Sequence, residues 1–195
     1  MIIGLTGGSG TGKSEASRFF AEHGFTVIDM DRVSREVCRA GEPCLDEIVG
    51  YFGKGILNPD GTLNRHGLGD IVFSNPDKLT ILNAVTHKYI IAETNRRIAH
   101  GGNFVLDAAV LFEAGMDSIC DVTVAVVADK ETRIKRIMKR DALTYEQAKN
   151  RIEAQHSDEW YRERCTYTVV NNSTQNELYR LLSELFGGSY VEKAK

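Results

Sequence analysis

Short apolar runs alternate along the chain with stretches whose apolar residues recur every three or four positions. This is the pattern of parallel strands covered by helices. Five runs predict strands: Ile2–Thr6, Thr26–Asp29, Phe104–Asp107, Val122–Val127 and Tyr167–Val170. Their near-continuous apolar character predicts strands buried on both faces. The residues between the second and third runs read as helical, punctuated by the turn clusters Gly53-Lys54-Gly55 and Asn58-Pro59-Asp60-Gly61. Asn75-Pro76 predicts a helix start, with Asn as cap and Pro in the first turn. The helix that follows, from Pro76 toward Ala99, carries Leu79, Leu82, Val85 and Tyr89 at helical spacing. This helical stretch reads as an insertion at the carboxyl edge of the sheet, where ligands bind in open α/β folds. Thr144 with Gln147 and Thr174 with Glu177 predict capping boxes. Leu178, Leu181, Leu182, Leu185 and Phe186 form the core-facing stripe of a final helix. The tail from Gly187 to Lys195 is expected to be loosely ordered.

One join between strand and helix carries more than packing. Gly7-Gly8-Ser9-Gly10-Thr11-Gly12-Lys13-Ser14 spells G-x-x-x-x-G-K-[ST], between the first strand and a helix read from Ser14 to Glu22. Glycines let successive backbone N–H groups converge on phosphate oxygens, and the helix N-terminus adds partial positive charge. Gly7, Gly8, Gly10, Thr11 and Gly12 are therefore expected to cradle the phosphates of a nucleoside triphosphate. Lys13 is expected to reach the β/γ-phosphates, and the Ser14 hydroxyl to ligate Mg²⁺.

Carboxylates follow at strand ends. Asp29-Met30-Asp31 closes the second strand, and residues two apart in an extended segment project to the same side. One of the two is expected to take a proton from an attacking hydroxyl. Alternatively Asp31 caps a helix Arg32–Arg39, and the two roles are compatible. Phe104–Asp107 is an apolar strand ending in an acid, so Asp107 is the second candidate for Mg²⁺. Glu113, six residues on, is either a substrate-side carboxylate or simply exposed. Arg133, Arg136 and Arg140 fall at helical spacing on one face, suited to clamping triphosphate charge, with Arg140 placed as a lid arginine. His87 sits alone in the helical insertion, as substrate contact or as structural residue.

Composition narrows the function classes. At 195 residues, 42% hydrophobic and 26% charged, the chain suits a single α/β domain with an inserted subdomain. A formal net charge of −3 argues against nucleic acid as partner, so a polyanionic ligand must be met by local positive charge. Cys38, Cys44, Cys120 and Cys165 form no C-x-x-C pair and read as reduced packing thiols. Met1 leads directly into the first strand, and no apolar stretch approaches the roughly 18 residues that span a bilayer. The expectation is a cytoplasmic protein without membrane association.

In this order the features resemble the dephospho-coenzyme A kinase family from Ile2 to about Asn172. The residues that carry the resemblance include the glycine loop, Val27-Ile28-Asp29-Met30-Asp31 with Arg35, and Asp60-Gly61-Thr62-Leu63-Asn64-Arg65 with Leu68 and Phe73. Leu82-Asn83 leading to His87, Asp107 with Leu111-Phe112-Glu113, Arg136, Arg140, and Arg151 with Ala154-Gln155 complete the set. The resemblance implies a P-loop NTPase fold of the nucleoside-monophosphate-kinase kind, a three-layer αβα arrangement on a five-stranded parallel sheet. It also implies a core (about 1–31, 102–128 and 166–187), a helical CoA-binding insertion (about 32–101) and a lid region (about 129–165). By the same resemblance ATP and dephospho-CoA are the partners, Mg²⁺ is the cofactor, and the γ-phosphoryl goes to the ribose 3′-hydroxyl. Thr6 then lies beside the phosphate site, Gly10 to Glu15 hold the ATP phosphates with Arg136 and Arg140, and Asp31 is the base. Asp29, Arg65, His87 and Glu113 join Asp31 on the acceptor side. Three positions depart from the family pattern: Lys88 and Ala109 stand where proline is usual, and Cys165-Thr166 stands for Ala-Asp. Two other readings fit the glycine loop: a kinase for another small acceptor, such as a nucleoside or sugar acid, and an ATP-binding regulatory switch.

Overall fold

The computed structural model describes residues 1–186, so the tail expected to be loose lies outside the described residues. All five expected strands form: β1 (Ile2–Thr6), β2 (Thr26–Asp29), β3 (Phe104–Asp107), β4 (Val122–Val127) and β5 (Tyr167–Val170). They make one parallel α/β sheet in the order β2-β3-β1-β4-β5, with Leu5 opposite Asp107 on one side and Val124 on the other. Burial on both faces holds for β1, β3 and β4, but β2 and β5 each bury only one residue fully. Their edge positions leave the outer residues to solvent.

The chain divides into two compact units, Met1–Ile28 with the residues from Gly102 onward, and Asp29–Gly101. In the first, α1 (Lys13–Glu22) and α9 (Gln175–Phe186) set Phe19, Phe20, Leu178 and Leu182 against Ile3, Leu5 and Val105 of the sheet. Of the stripe on α9, Leu178, Leu182 and Phe186 are buried, whereas Leu185 at the stripe's border is exposed. Helices α6 (Lys130–Asp141) and α7 (Tyr145–Glu153) pack through Ile134, Ile137, Ala148 and Ile152, and α8 (Asp158–Arg164) follows. The expected box at α7 is complete, with both Thr144–Gln147 bonds present. At α9 only the Thr174 half forms, because the Glu177 carboxylate is engaged by Arg180.

The second unit holds α2 (Met30–Val37), α3 (Pro43–Phe52), α4 (Arg65–Phe73) and α5 (Pro76–Ile98) around a core of Cys38, Cys44, Ile48, Ile56, Leu68, Val72 and Val85. Asn75 caps α5 as expected, accepting from the N–H groups of Asp77 and Lys78. At α2 the cap is Asp29, which accepts from the N–H of Arg32 at 3.1 Å; Asp31 is not the cap. The chain turns helical at Met30, so the two carboxylates do not share an extended segment. Asp31 instead lies exposed in the first turn of α2.

Candidate active site

The glycine loop is held from outside by its carbonyls. The Thr11 hydroxyl, fully buried, donates to the Gly8 carbonyl at 2.9 Å, and the Asn171 amide donates to the Thr11 carbonyl at 2.7 Å. Arg136 donates to the carbonyls of Gly10, Thr11 and Asn171 through one nitrogen and of Ser173 through another. Arg133, 4% exposed, donates from Nε to the Ser9 carbonyl at 2.9 Å. Burial pushes both guanidiniums down from their usual values, yet such groups stay charged at neutral pH. The face expected to clamp phosphate thus divides: Arg133 and Arg136 brace the loop, while Arg140 at the exposed end of α6 binds Asp141 at 2.8 and 2.9 Å. Arg151 shares the same Asp141 carboxylate.

With the carbonyls engaged, the loop presents N–H groups as an anion-binding concavity. Gly12 has φ 100°, and a Cβ there would run into the Asn171 amide, so glycine is the residue the position accepts. The α1 helix starts directly from it, with Glu15 N–H on the Gly12 carbonyl at 3.0 Å. Thr6 is fully buried at the end of β1, its hydroxyl 3.5 Å from the Ala109 carbonyl. Glu15 is engaged by Arg18 at 3.0 Å and Gln175 at 2.9 Å.

Lys13 forms an ion pair with Asp107, whose other oxygen accepts from the Ser17 hydroxyl. Ser14 is exposed in the first turn of α1. No cluster of three or more His, Cys, Asp or Glu side chains suited to a metal exists among the described residues. Ser14 and Asp107 each offer oxygen of the kind Mg²⁺ takes through one or two protein groups plus substrate phosphates, although both Asp107 oxygens are engaged here by Lys13 and Ser17. Further along the same unit, Glu113 accepts from or is paired with His156 Nε2 at 2.8 Å, and the imidazole stacks on Trp160 at 3.8 Å.

In the helical unit the Asp60-Gly61-Thr62 segment is a tight turn. Asp60 accepts from the N–H and hydroxyl of Thr62 at 3.0 and 2.6 Å, which holds its carboxyl below the usual range. The turn delivers Asn64 as the cap of α4 and Arg65 as its first residue. Arg65 lines a cavity of about 470 Å³ together with Arg35, Arg39, Cys38 and Thr62. Arg35 lies in the last turn of α2 and Arg39 just beyond its end, yet Arg39 carries no motif, and nothing in the sequence joins it to Arg65. Cys38 lies 3.6 Å from Cys44, sulfur to sulfur, and that contact followed by the Arg65 charge pulls the Cys38 thiol down. His87 is partly buried in α5, and burial lowers its pKa. That burial favours the uncharged imidazole.

The departures have local partners. Lys88 pairs with Glu47 of α3, which also accepts from the Tyr89 hydroxyl at 2.8 Å. Thr166 exchanges hydrogen bonds with Thr123, at 3.1 and 2.9 Å.

Known proteins resemble this chain over most of its length. The family model described as dephospho-CoA kinase matches residues 1–177. The dephospho-CoA kinase of Lactobacillus johnsonii is 38% identical over 189 residues, covering 94% of this chain and 96% of its own. Among solved structures, TT1252 from Thermus thermophilus superposes with a TM-score of 0.79 at 30% identity, covering 95% of both chains. Dephospho-CoA kinase from Campylobacter jejuni gives 0.68 at 25% identity, covering 94% of this chain and 96% of the other. No helix among the described residues is long and apolar enough to cross a membrane.

Proposed function

Because the chain belongs to the dephospho-CoA kinase family, we propose that it transfers the γ-phosphoryl of ATP to the ribose 3′-hydroxyl of dephospho-CoA, the last step of coenzyme A synthesis. The observation that carries the reading is the braced glycine loop ending in Lys13 beside Asp107. A loop whose carbonyls are fixed outward receives triphosphate oxygens without reorganising, which is where positioning lowers the barrier. Thr6, Gly7, Gly8 and the residues from Gly10 to Glu15 form this donor site. Lys13 meets the transferring phosphoryl, exchanging its Asp107 partner for phosphate oxygens. Ser14 and Asp107 are the residues that would hold Mg²⁺, which would supply charge neutralisation to the triphosphate. Arg140, with Arg136 behind it, supplies positive charge from the lid region.

On the acceptor side Asp31 takes the proton of the attacking hydroxyl. Its exposed place in the first turn of α2, with the capping duty carried by Asp29, supports that role. Arg65 brings a charge suited to the acceptor's phosphates to the cavity it shares with Arg35 and Arg39. His87 and Glu113 complete the acceptor contacts. Four free cysteines suit a reducing compartment and support a cytoplasmic setting.

The test is ADP release from Mg-ATP with and without dephospho-CoA, beside a panel of nucleosides and sugar acids. Turnover that depends on dephospho-CoA and yields CoA is the expected result. Turnover with another acceptor alone would keep the donor site and discard the acceptor. ATP hydrolysis indifferent to every acceptor would favour the regulatory switch.

A further inference from the structure

The apex of the glycine loop is held by a side chain from far along the chain, outside the loop's own G-x-x-x-x-G-K-[ST] pattern. Gln155 follows α7, and its Oε1 accepts from the Ser9 backbone N–H at 2.9 Å while its Nε2 contacts the Ser9 hydroxyl at 3.2 Å. The same Oε1 accepts from Arg133 Nη2 at 2.8 Å, and Arg133 Nε closes the ring on the Ser9 carbonyl at 2.9 Å. Every polar group of Ser9 is thereby taken, from one side, by two side chains. Arg133 is itself buried to 4% exposure with Asp158 at 3.7 Å, so the ring rests on a fixed charge. A Cβ at Gly8 would strike both the Arg133 guanidinium and Gln155 Oε1, so the glycine is what admits the pair.

We propose that Gln155 is a positioning residue for the donor site: with Arg133 it withholds the Ser9 N–H from phosphate and fixes the loop apex, so that the N–H groups of Gly10, Gly12, Lys13 and Ser14 stand preorganised for the triphosphate, while the Thr11 N–H turns back to the Gly8 carbonyl. An amide carbonyl and a phosphate oxygen compete for the same N–H, and the amide holds this one. The consequence is that nucleotide phosphates are read by the second half of the motif, and the first half is a strut anchored in α6 and the α7–α8 connection. Without the Gln155 amide, Ser9 keeps only the Arg133 bond to its carbonyl, and nucleotide binding must then order the apex at the expense of affinity. The next residue, His156, holds Glu113, so this two-residue segment touches both the donor loop and a carboxylate proposed for the acceptor.

The inference rests on the glycine loop being the ATP site, and the experiment separates the two. The full-length chain and its Gln155→Ala, Gln155→Glu, Ser9→Ala and Lys13→Ala variants are compared for the dissociation constant of Mg-ADP, the KM values for Mg-ATP and dephospho-CoA, and kcat. Gln155→Ala is expected to weaken Mg-ADP and raise the KM for ATP roughly tenfold, the loss of two hydrogen bonds, with the acceptor KM unchanged. Gln155→Glu, which keeps an acceptor for the Ser9 N–H and for Arg133, is expected to recover most of that loss. Ser9→Ala removes only the hydroxyl contact and should cost less than Gln155→Ala. A Gln155→Ala protein with unaltered nucleotide affinity, or a Gln155→Glu protein as impaired as the alanine variant, would overturn the proposal, as would a Ser9→Ala loss equal to that of Gln155→Ala. If Lys13→Ala retained full turnover and nucleotide affinity, the loop itself would be the wrong site. A dead Lys13→Ala beside a silent Gln155→Ala would reject the strut alone.

Discussion

Between Gly7 and Ser14 the chain offers anions its backbone, whereas in the helical unit Arg35, Arg39 and Arg65 offer side chains around a cavity of about 470 Å³. The first arrangement is rigid because buried groups fix it: Thr11, Asn171 and Arg133 are each less than 10% exposed and each binds a loop carbonyl. The second rests on long, exposed side chains projecting from helix ends. Backbone dipoles fixed in advance cost no reorganisation when charge develops on a transferring phosphoryl. Mobile guanidiniums adapt to a substrate that need only be held. On the proposed function, the glycine loop is the donor site and the arginine cavity holds the acceptor's phosphates.

That division can be broken by comparing kcat with KM. The largest expected effect is Asp31→Asn, which removes the proposed general base and should lower kcat about 10²–10⁴-fold with both KM values little changed. An Asp31→Asn enzyme turning over normally would refute the assignment. Lys13→Ala should lower kcat/KM for ATP about 10²–10³-fold, because it removes a charge that stabilises the transferring phosphoryl. Next come Arg39→Gln and Arg65→Gln, each expected to raise the KM for dephospho-CoA about tenfold, the loss of a charge-assisted bond, and to leave the KM for ATP alone. Steady-state kinetics with each substrate varied in turn reads all four. If the arginine variants raised the KM for ATP instead, the cavity would belong to the nucleotide and the contrast would fail.

The donor half was legible because its function is contiguous. A strand, a glycine run and a helix start occupy the residues from Ile2 to Glu22, and backbone conformation follows from local sequence. The five strands were legible for the same reason. The arginine cavity was legible only at Arg65, whose turn motif is local; Arg39 lines it together with Thr62 and Leu63 through tertiary structure that has no sequence period. The expectation that Asp29 and Asp31 share one side of an extended segment fails, since the period-two rule holds only while the chain stays extended and Met30 already begins α2. Arg133 and Arg136 show the converse. Their helical spacing was correct, but spacing does not reveal whether a guanidinium meets solvent, phosphate or a carbonyl.

Acid should weaken ion pairs in the helical unit. In the helical unit Glu93 is held at about 2, from the usual 4.5, by hydrogen bonds from Arg96 and then Arg97, and Glu36 is lowered by Arg97. A carboxylate with a depressed folded pKa contributes stability above its usual value and loses it as pH falls from about 4.5 toward 2. Thermal unfolding at pH 7 and pH 3 should show a drop in Tm, and the drop should be smaller in Glu93→Gln. An equal drop in the variant would place the acid sensitivity elsewhere.

The smallest effect is expected at Lys88, where the family usually carries proline. Lys88 and Glu47 form an exposed pair, and solvent screening leaves such pairs little influence on stability. Tyr89 keeps its own bond to Glu47 when the lysine is gone, so the carboxylate is not stranded. Lys88→Ala should therefore shift Tm by less than about 2 °C and leave the KM for dephospho-CoA unchanged. The residue follows His87 directly, which makes the variant informative in either direction. An unchanged KM means that α5 tolerates the departure because its side chain turns to α3, whereas a raised KM would add Lys88 to the acceptor contacts and extend the side-chain mode of binding beyond the arginine cavity.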